Sequence, residues 1–172
     1  MKFGWQKQMA AIGLAAVMWA GSPSVGMAQS APAVGDTVTV PAVTLIDGQR
    51  LPAGYFQGKP LIVEYWASWC PFCGRQNPRL QKLTLEAQKK GLQILTVSVD
   101  RKESDASDYI QEHHYTFPVA METPELLKTF GRRDIIPEIF VVTANGKLAE
   151  VLSGELPEAQ VAGLIKYAPG AH

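Results

Sequence analysis

With 172 residues, 47% of them hydrophobic and 19% charged, the chain has the proportions of one ordinary globular domain with its own core. Sixteen basic and sixteen acidic side chains cancel, which excludes the long-range positive field that would select nucleic acid or an anionic membrane surface as partner. Two cysteines are too few for a disulfide-stapled scaffold.

Residues 1–28 read as an export signal that is cleaved. Lys2 and Lys7 form a short basic region, Met9 to Gly21 is uncharged and mostly apolar, and Gly26-Met27-Ala28 puts small residues where a signal peptidase would inspect them. The apolar stretch is shorter than the roughly 20 residues that span a bilayer; an uncleaved anchor is the alternative. No Cys stands at the cleavage position to carry a lipid and no Arg-Arg pair precedes the apolar stretch, so the general secretory route is expected. Residues 29–36, rich in Ala, Ser and Pro, read as a flexible lead-in, and 37–168 as the folded domain.

Val38 to Leu45 alternates and is rich in Val and Thr, which predicts a strand with an edge or a break at Pro41. Asp47-Gly48 is a tight-turn signal, and Gln49 to Leu51 returns as its partner strand. After Gly58-Lys59-Pro60, the unbroken run Leu61 to Trp66 predicts a central strand buried on both faces. A helix is expected from Cys70-Pro71 to Lys90, stopped by Gly91, with Leu80, Leu83 and Ala87 on its inner face and a kink at Pro78. Leu92 to Val99 is a buried strand, and a helix capped by Ser104 or Asp105 runs to about His114. Phe117 to Ala120 is extended, and Thr123-Pro124 opens a helix that ends before Gly131. Ile135 to Thr143 and Lys147 to Leu152 form a hairpin about Asn145-Gly146, and Pro157 to Tyr167 closes the chain as a helix. The fold class is therefore α/β, a central mixed sheet flanked by helices on both faces, with an N-terminal β-hairpin extension.

Cys70 and Cys73 are the two cysteines of the chain. A bridge closing so small a loop removes little entropy from the unfolded chain, so the pair is a poor staple and makes sense as a reactive device. Cys70 stands where a strand gives way to a helix, so unpaired backbone N–H groups and the positive end of the helix dipole favour its thiolate, the nucleophilic form. Cys73, one turn further in, is placed to resolve the mixed disulfide. Pro71 stiffens the loop, and Phe72, unlike a His, offers a thiolate no hydrogen bond. By itself the spacing is also that of half a zinc site, but no second Cys pair completes four ligands. His113 and His114, adjacent on a helix, point in different directions and read as solvated surface residues.

Val63-Glu64-Tyr65-Trp66-Ala67-Ser68-Trp69-Cys70-Pro71-Phe72-Cys73 resembles the active-site segment of the thioredoxin superfamily, within it the exported TlpA/ResA-like thiol-disulfide oxidoreductases. The stretch from Asp47-Gly48 to Gly58-Lys59-Pro60 is similar to that branch's N-terminal hairpin, and the segment from Gly131 to Gly146 matches as well, so the resemblance covers about Val34 to Ala168. It implies a kink at Pro78. It also implies a cis bond before Pro137, facing the Cys pair, with the backbone of Ile136 pairing with a substrate polypeptide. Glu64 falls where the superfamily keeps a buried acid. A carboxyl there has a raised pKa and passes protons to and from Cys73; the alternative is a Glu satisfied by a structural partner such as a Lys. Trp69 would shield the site and contact substrate with Pro71 and Phe72, or be an ordinary packing aromatic, whereas Trp66 reads as core. Glu138 departs from the pattern, since a Thr, or another small or apolar residue, is common there. An acid in that place either disfavours a Cys70 thiolate and repels acidic substrates or points away into solvent.

The implied function is exchange of disulfides with exported proteins, as a reductant in an extracytoplasmic space such as the periplasm, for example in preparing haem- or copper-binding thiols. The Cys70–Cys73 disulfide is itself the redox group, with no separate cofactor and no metal. Partners are a protein thiol or disulfide substrate and a membrane electron donor, with no nucleic acid; a monomer is expected. The alternatives are a disulfide-forming oxidase, and a copper- or zinc-holding chaperone using the same pair without turnover.

Overall fold

The structure is a computed structural model that describes Met1 and residues 31–170. The expected export signal beyond Met1, its cleavage site after Ala28 and the first residues of the lead-in lie outside the described residues. Chain order gives β1 (Val43–Thr44), β2 (Arg50–Leu51), β3 (Leu61–Trp66), α1 (Pro71–Lys90), β4 (Gln93–Ser98), α2 (Glu103–Glu112), β5 (Val119–Met121), α3 (Pro124–Phe130), β6 (Glu138–Val142), β7 (Leu148–Ser153) and α4 (Glu158–Gly163), then a 3-10 turn over Leu164–Tyr167. A 5-stranded sheet runs in the order β5-β4-β3-β6-β7, and β1 and β2 form a separate antiparallel pair. β3 lies between β4, to which it is parallel, and β6, to which it is antiparallel, so the sheet is mixed as expected.

The apolar run in β3 is explained by that central place, since each of its side chains is buried. Ile62 and Trp66 pack with Leu80 and Leu83 of α1 and Val161 of α4. Leu61, Val63 and Tyr65 pack on the opposite face with Leu126, Phe130 and Phe140. Burial of each such large apolar side chain contributes about 1.5–3 kcal/mol. Alternation along β3 puts Glu64 on the same face as Ile62 and Trp66, under α1.

The stretch from Val38 to Leu45 is not one strand. Val38, Val40, Val43 and Leu45 are all buried, which is what its alternation encodes, but the backbone partners change along it. Val38 N–H donates to Gly146 in the β6–β7 turn, β1 pairs with β2, and Leu45 bridges to Ala120 of β5. Pro41, lacking an N–H, falls where one set of partners gives way to the next. β6 likewise starts at Glu138 and not at Ile135: the Ile136–Pro137 bond is cis, and Pro137 has no N–H for the ladder. α2 starts at Glu103 with Lys102 in the cap position and no side-chain cap bond, so the cap expected from Ser104 or Asp105 is not made. Glu103 and Asp105 instead lie in the first turn, against the positive end of the helix dipole. α1 continues through Pro78 and ends at Gly91, whose φ of 74° is the left-handed cap that glycine adopts without strain.

α3 is closed as its sequence predicts: Thr123 accepts a hydrogen bond from Leu126 N–H at 3.2 Å, Pro124 follows at the first position, and Gly131 ends it. Thr123→Ala should therefore lower stability by about 1 kcal/mol. Urea unfolding is expected to show an earlier midpoint with an unchanged slope; an unchanged midpoint would mean the cap contributes nothing.

Candidate active site

The loop between β3 and α1 carries the pair, and it is fixed from below. Asp100, at the end of β4, accepts hydrogen bonds from Ser68 N–H (3.0 Å), Ser68 Oγ (2.8 Å) and Ser98 Oγ (2.7 Å). This holds the turn that presents Trp69 and Cys70.

Cys70 caps α1, with extended backbone (φ −87°, ψ 113°) and its sulfur accepting from Cys73 N–H at 3.2 Å. Pro71 occupies the first turn, which needs no N–H there, and no acidic residue lies in that turn to oppose a negative sulfur. The two cysteines form a disulfide with Cα atoms 5.3 Å apart. Their exposure differs in the sense chemistry needs: Cys70 is 5% exposed and Cys73 0%. A partner sulfur from outside reaches Cys70 first. The Cys70 sulfur lies 3.7 Å from the Ile136 carbonyl oxygen, close enough for the reduced thiol to donate to it. The Ile136–Pro137 bond that follows is cis, and the Pro137 carbonyl accepts from Gly154 N–H at 2.8 Å.

Trp69, Phe72 and Ile135 are large apolar side chains standing exposed around the disulfide. With Cys70, Ile136 and Glu155 they line a cleft of about 710 Å³. Arg75 lies over the Phe72 ring at 4.7 Å and its Nε is 2.7 Å from Glu155, while Arg79 pairs with the other Glu155 oxygen at 3.1 Å. These arginines hold the Glu155 carboxyl below its ordinary range. Trp66, by contrast, is fully buried core.

Below α1 the sheet carries an acid. Glu64 is 0% exposed, and burial pushes its carboxyl up to about 8, with the Gln76 side chain pulling it partway back. Among the described residues neither Glu64 oxygen has a well-aligned hydrogen-bond partner. Gln76 is itself fully buried and its carbonyl oxygen accepts from Leu156 N–H at 2.8 Å, so its amide N–H groups are left for Glu64. Among the described residues the partner that eases the Glu64 charge is the Gln76 amide and not a Lys.

Glu138 does not point freely into solvent. One carboxyl oxygen accepts from Ser153 Oγ at 2.8 Å, and the other is 3.2 Å from Arg133 Nε. The unexpected acid is thus paired with a cation. His113 and His114 are exposed, and His113 stacks on Tyr109 with ring centres 4.1 Å apart. Among the described residues no three His, Cys, Asp or Glu side chains gather as metal ligands would.

The structure thus brings together Cys70, Cys73, Trp69, Pro71, Phe72, Ile136 and Pro137, with Glu64 buried in β3 beside Gln76 of α1. Sequence motifs do not point to Gln76, Arg133 or Asp100. Gln76 carried a signal: at helical spacing between Cys73 and Leu80 it is a polar residue in the buried stripe of α1.

Residues 33–165 match the family described as Redoxin. A relative, the thiol-disulfide oxidoreductase ResA of Bacillus thuringiensis subsp. konkukian, is 26% identical over 125 residues, covering 72% of each chain. ResA of Oceanobacillus iheyensis is 28% identical over 120 residues, 70% of this chain and 62% of that one. Among solved structures, a thiol:disulfide interchange protein of the thioredoxin family from Chlorobium tepidum superposes with a TM-score of 0.71 at 24% identity, covering 82% of this chain and 100% of that one. The sheet order and its covering helices are those of a thioredoxin-like fold.

Proposed function

The chain belongs to the Redoxin family, and from that premise we propose that it is a thiol-disulfide oxidoreductase whose working group is the Cys70–Cys73 pair. The observation that supports this most is the asymmetry of the pair: Cys70 at the floor of an apolar cleft and at the start of a helix, Cys73 buried behind it. In the reducing direction the Cys70 thiolate attacks one sulfur of a substrate disulfide; the other substrate sulfur leaves as a thiolate and takes a proton. Cys73 gives its proton to the Glu64 carboxylate and attacks the Cys70 sulfur. The substrate leaves as a dithiol, and Cys70–Cys73 is left oxidised by two electrons. Ile136 offers its backbone to the substrate chain, and Trp69, Pro71 and Phe72 wall the cleft.

The substrates are proteins, and the direction is reduction, as in preparing haem- or copper-binding thiols outside the cytoplasm. The protein acts in the periplasm or another extracytoplasmic space once residues 1–28 are removed, as a monomer recharged by a membrane electron donor. No separate cofactor takes part.

Equilibrating the purified protein against glutathione or dithiothreitol, with tryptophan fluorescence as the readout, should give one reversible two-electron transition. About 30 mV moves the equilibrium tenfold, so the midpoint discriminates sharply. A value well below the glutathione pool supports a reductase and one well above it an oxidase. A pair that cannot be cycled, or that is purified with stoichiometric metal, would overturn the reading.

A further inference from the structure

The loop 131–137, which brings Ile136 to Cys70, has Arg132, Asp134 and Ile135 exposed, yet Arg133 between them turns inward. Its side chain is only 5% exposed. The guanidinium lies 4.1 Å over the ring of Tyr65 in β3 and 5.1 Å from the ring of Phe140 in β6. Tyr65 is itself held edge-on by Phe130 and Phe140, with centroid distances of 5.8 and 5.9 Å. Arg133 Nε is 3.2 Å from Glu138, but among the described residues none of the guanidinium nitrogens has a well-aligned hydrogen bond, and Glu122 Oε1 and the Tyr65 hydroxyl beside it find no partner there either. The cation is therefore held by opposite charge and by π faces, an arrangement that ties down a side chain strongly only when water is kept out.

Arg133 and Glu138 sit at the two ends of the segment that contains Ile136 and Pro137, and their charges meet beneath it. Glu138 is anchored to the sheet twice, by its register with Tyr65 and by Ser153 Oγ. A pair that closes a turn from both sides, on a ring belonging to the central strand, fixes where the carbonyl between them points. We propose that Arg133 is a positioning residue for disulfide exchange: clasped between Glu138 and the Tyr65 ring, it holds the Ile136 backbone where an incoming polypeptide must pair beside Cys70. The inference rests on the reading of Cys70 and Cys73 as the working dithiol. It also gives Glu138 a purpose, as the clasp's fixed end.

The test compares two disulfides with dithiothreitol as electron source: insulin, a polypeptide that can pair with the Ile136 backbone, and hydroxyethyl disulfide, too small to do so. Arg133→Met is expected to raise the insulin KM at least tenfold, with a smaller change in kcat. Its loss of kcat/KM on insulin should exceed its loss on hydroxyethyl disulfide at least fivefold. Arg133→Lys, which keeps the charge without the flat stacking group, should recover part of the loss. Glu138→Gln breaks the same pair without changing volume and should move the insulin KM in the same direction, so it decides the matter if Arg133→Met fails to fold. Equal losses on both disulfides, or an insulin KM unmoved in Glu138→Gln, would overturn the clasp. Failure of the wild-type protein to reduce either disulfide would instead overturn the reading of the Cys pair.

Discussion

Cys73→Ser is expected to turn the protein from a catalyst into a trap. Cys70 is the sulfur that opens onto the cleft, and Cys73 is fully buried behind it, so the first exchange proceeds without Cys73 and stops at the mixed disulfide. Release needs a second sulfur in line with the Cys70–substrate bond, and among the described residues the protein has no other cysteine to supply one. Turnover should fall by about 10⁴-fold or more, the scale of losing a covalent participant. Cys70→Ser should fall as far but accumulate no adduct, because the remaining thiol is out of reach. Non-reducing electrophoresis of the Cys73→Ser protein after exposure to an exported-protein extract, followed by mass spectrometry, reads both outcomes. Adducts joined through Cys73 in Cys70→Ser, or comparable turnover in both variants, would reverse or remove the assigned roles.

What sequence reveals here is what depends on local chemistry and periodicity. The bounds of α3 follow from Thr123, Pro124 and Gly131, and the turn of the last hairpin from Asn145-Gly146, because caps and tight turns are encoded in a few adjacent residues. The burial of β3 is legible because a strand covered on both faces has no polar period. Cys70 and Cys73 declare themselves by spacing and by their strand-to-helix setting. The features that escape are contacts between residues distant in the chain. Gln76 is held by Leu156 N–H, 80 positions away, and Ser68 is pinned by Asp100, 32 positions away. Glu138 is the sharpest case: its residue type departs from the family pattern, but whether its charge reaches the sulfurs depends on Arg133, across a turn whose path no periodicity describes. The stretch from Val38 to Leu45 shows the same limit in backbone form. Its alternation reports burial correctly, while its division among three sets of partners is decided by where the last hairpin and β5 happen to lie.

Glu64→Gln should separate proton transfer from stability in a single variant, with opposite signs. Burial raises the carboxyl from 4.5 to about 8, so near neutral pH Glu64 exists in both protonation states, as a group that must take and return the Cys73 proton requires. Replacing it with an amide keeps shape and removes the exchangeable proton. The step that resolves the mixed disulfide should slow by about 10²-fold, and the inflection near pH 8 in its pH–rate profile should disappear. Stability moves the other way. An acid whose folded pKa lies above its unfolded value binds its proton more tightly when folded, so its contribution is complete below about pH 4.5. That contribution declines as pH rises from there to about 8, and stays level above. At 1.36 kcal/mol per pH unit the decline amounts to about 5 kcal/mol. Glu64→Gln should flatten that slope and be more stable than the parent at pH 8, with the gap closing towards pH 4.5. Urea unfolding at a series of pH values, set beside stopped-flow resolution of a preformed mixed disulfide, measures both. An unchanged pH–rate profile with a flattened stability slope would make Glu64 a buried acid that moves no proton in catalysis. The opposite pair of results would mean that the carboxyl is solvated in the folded state and its pKa is set elsewhere. Only slowed resolution together with a gain in stability at pH 8 fits an acid kept dry and hard to ionise below α1, where the Gln76 amide eases its charge.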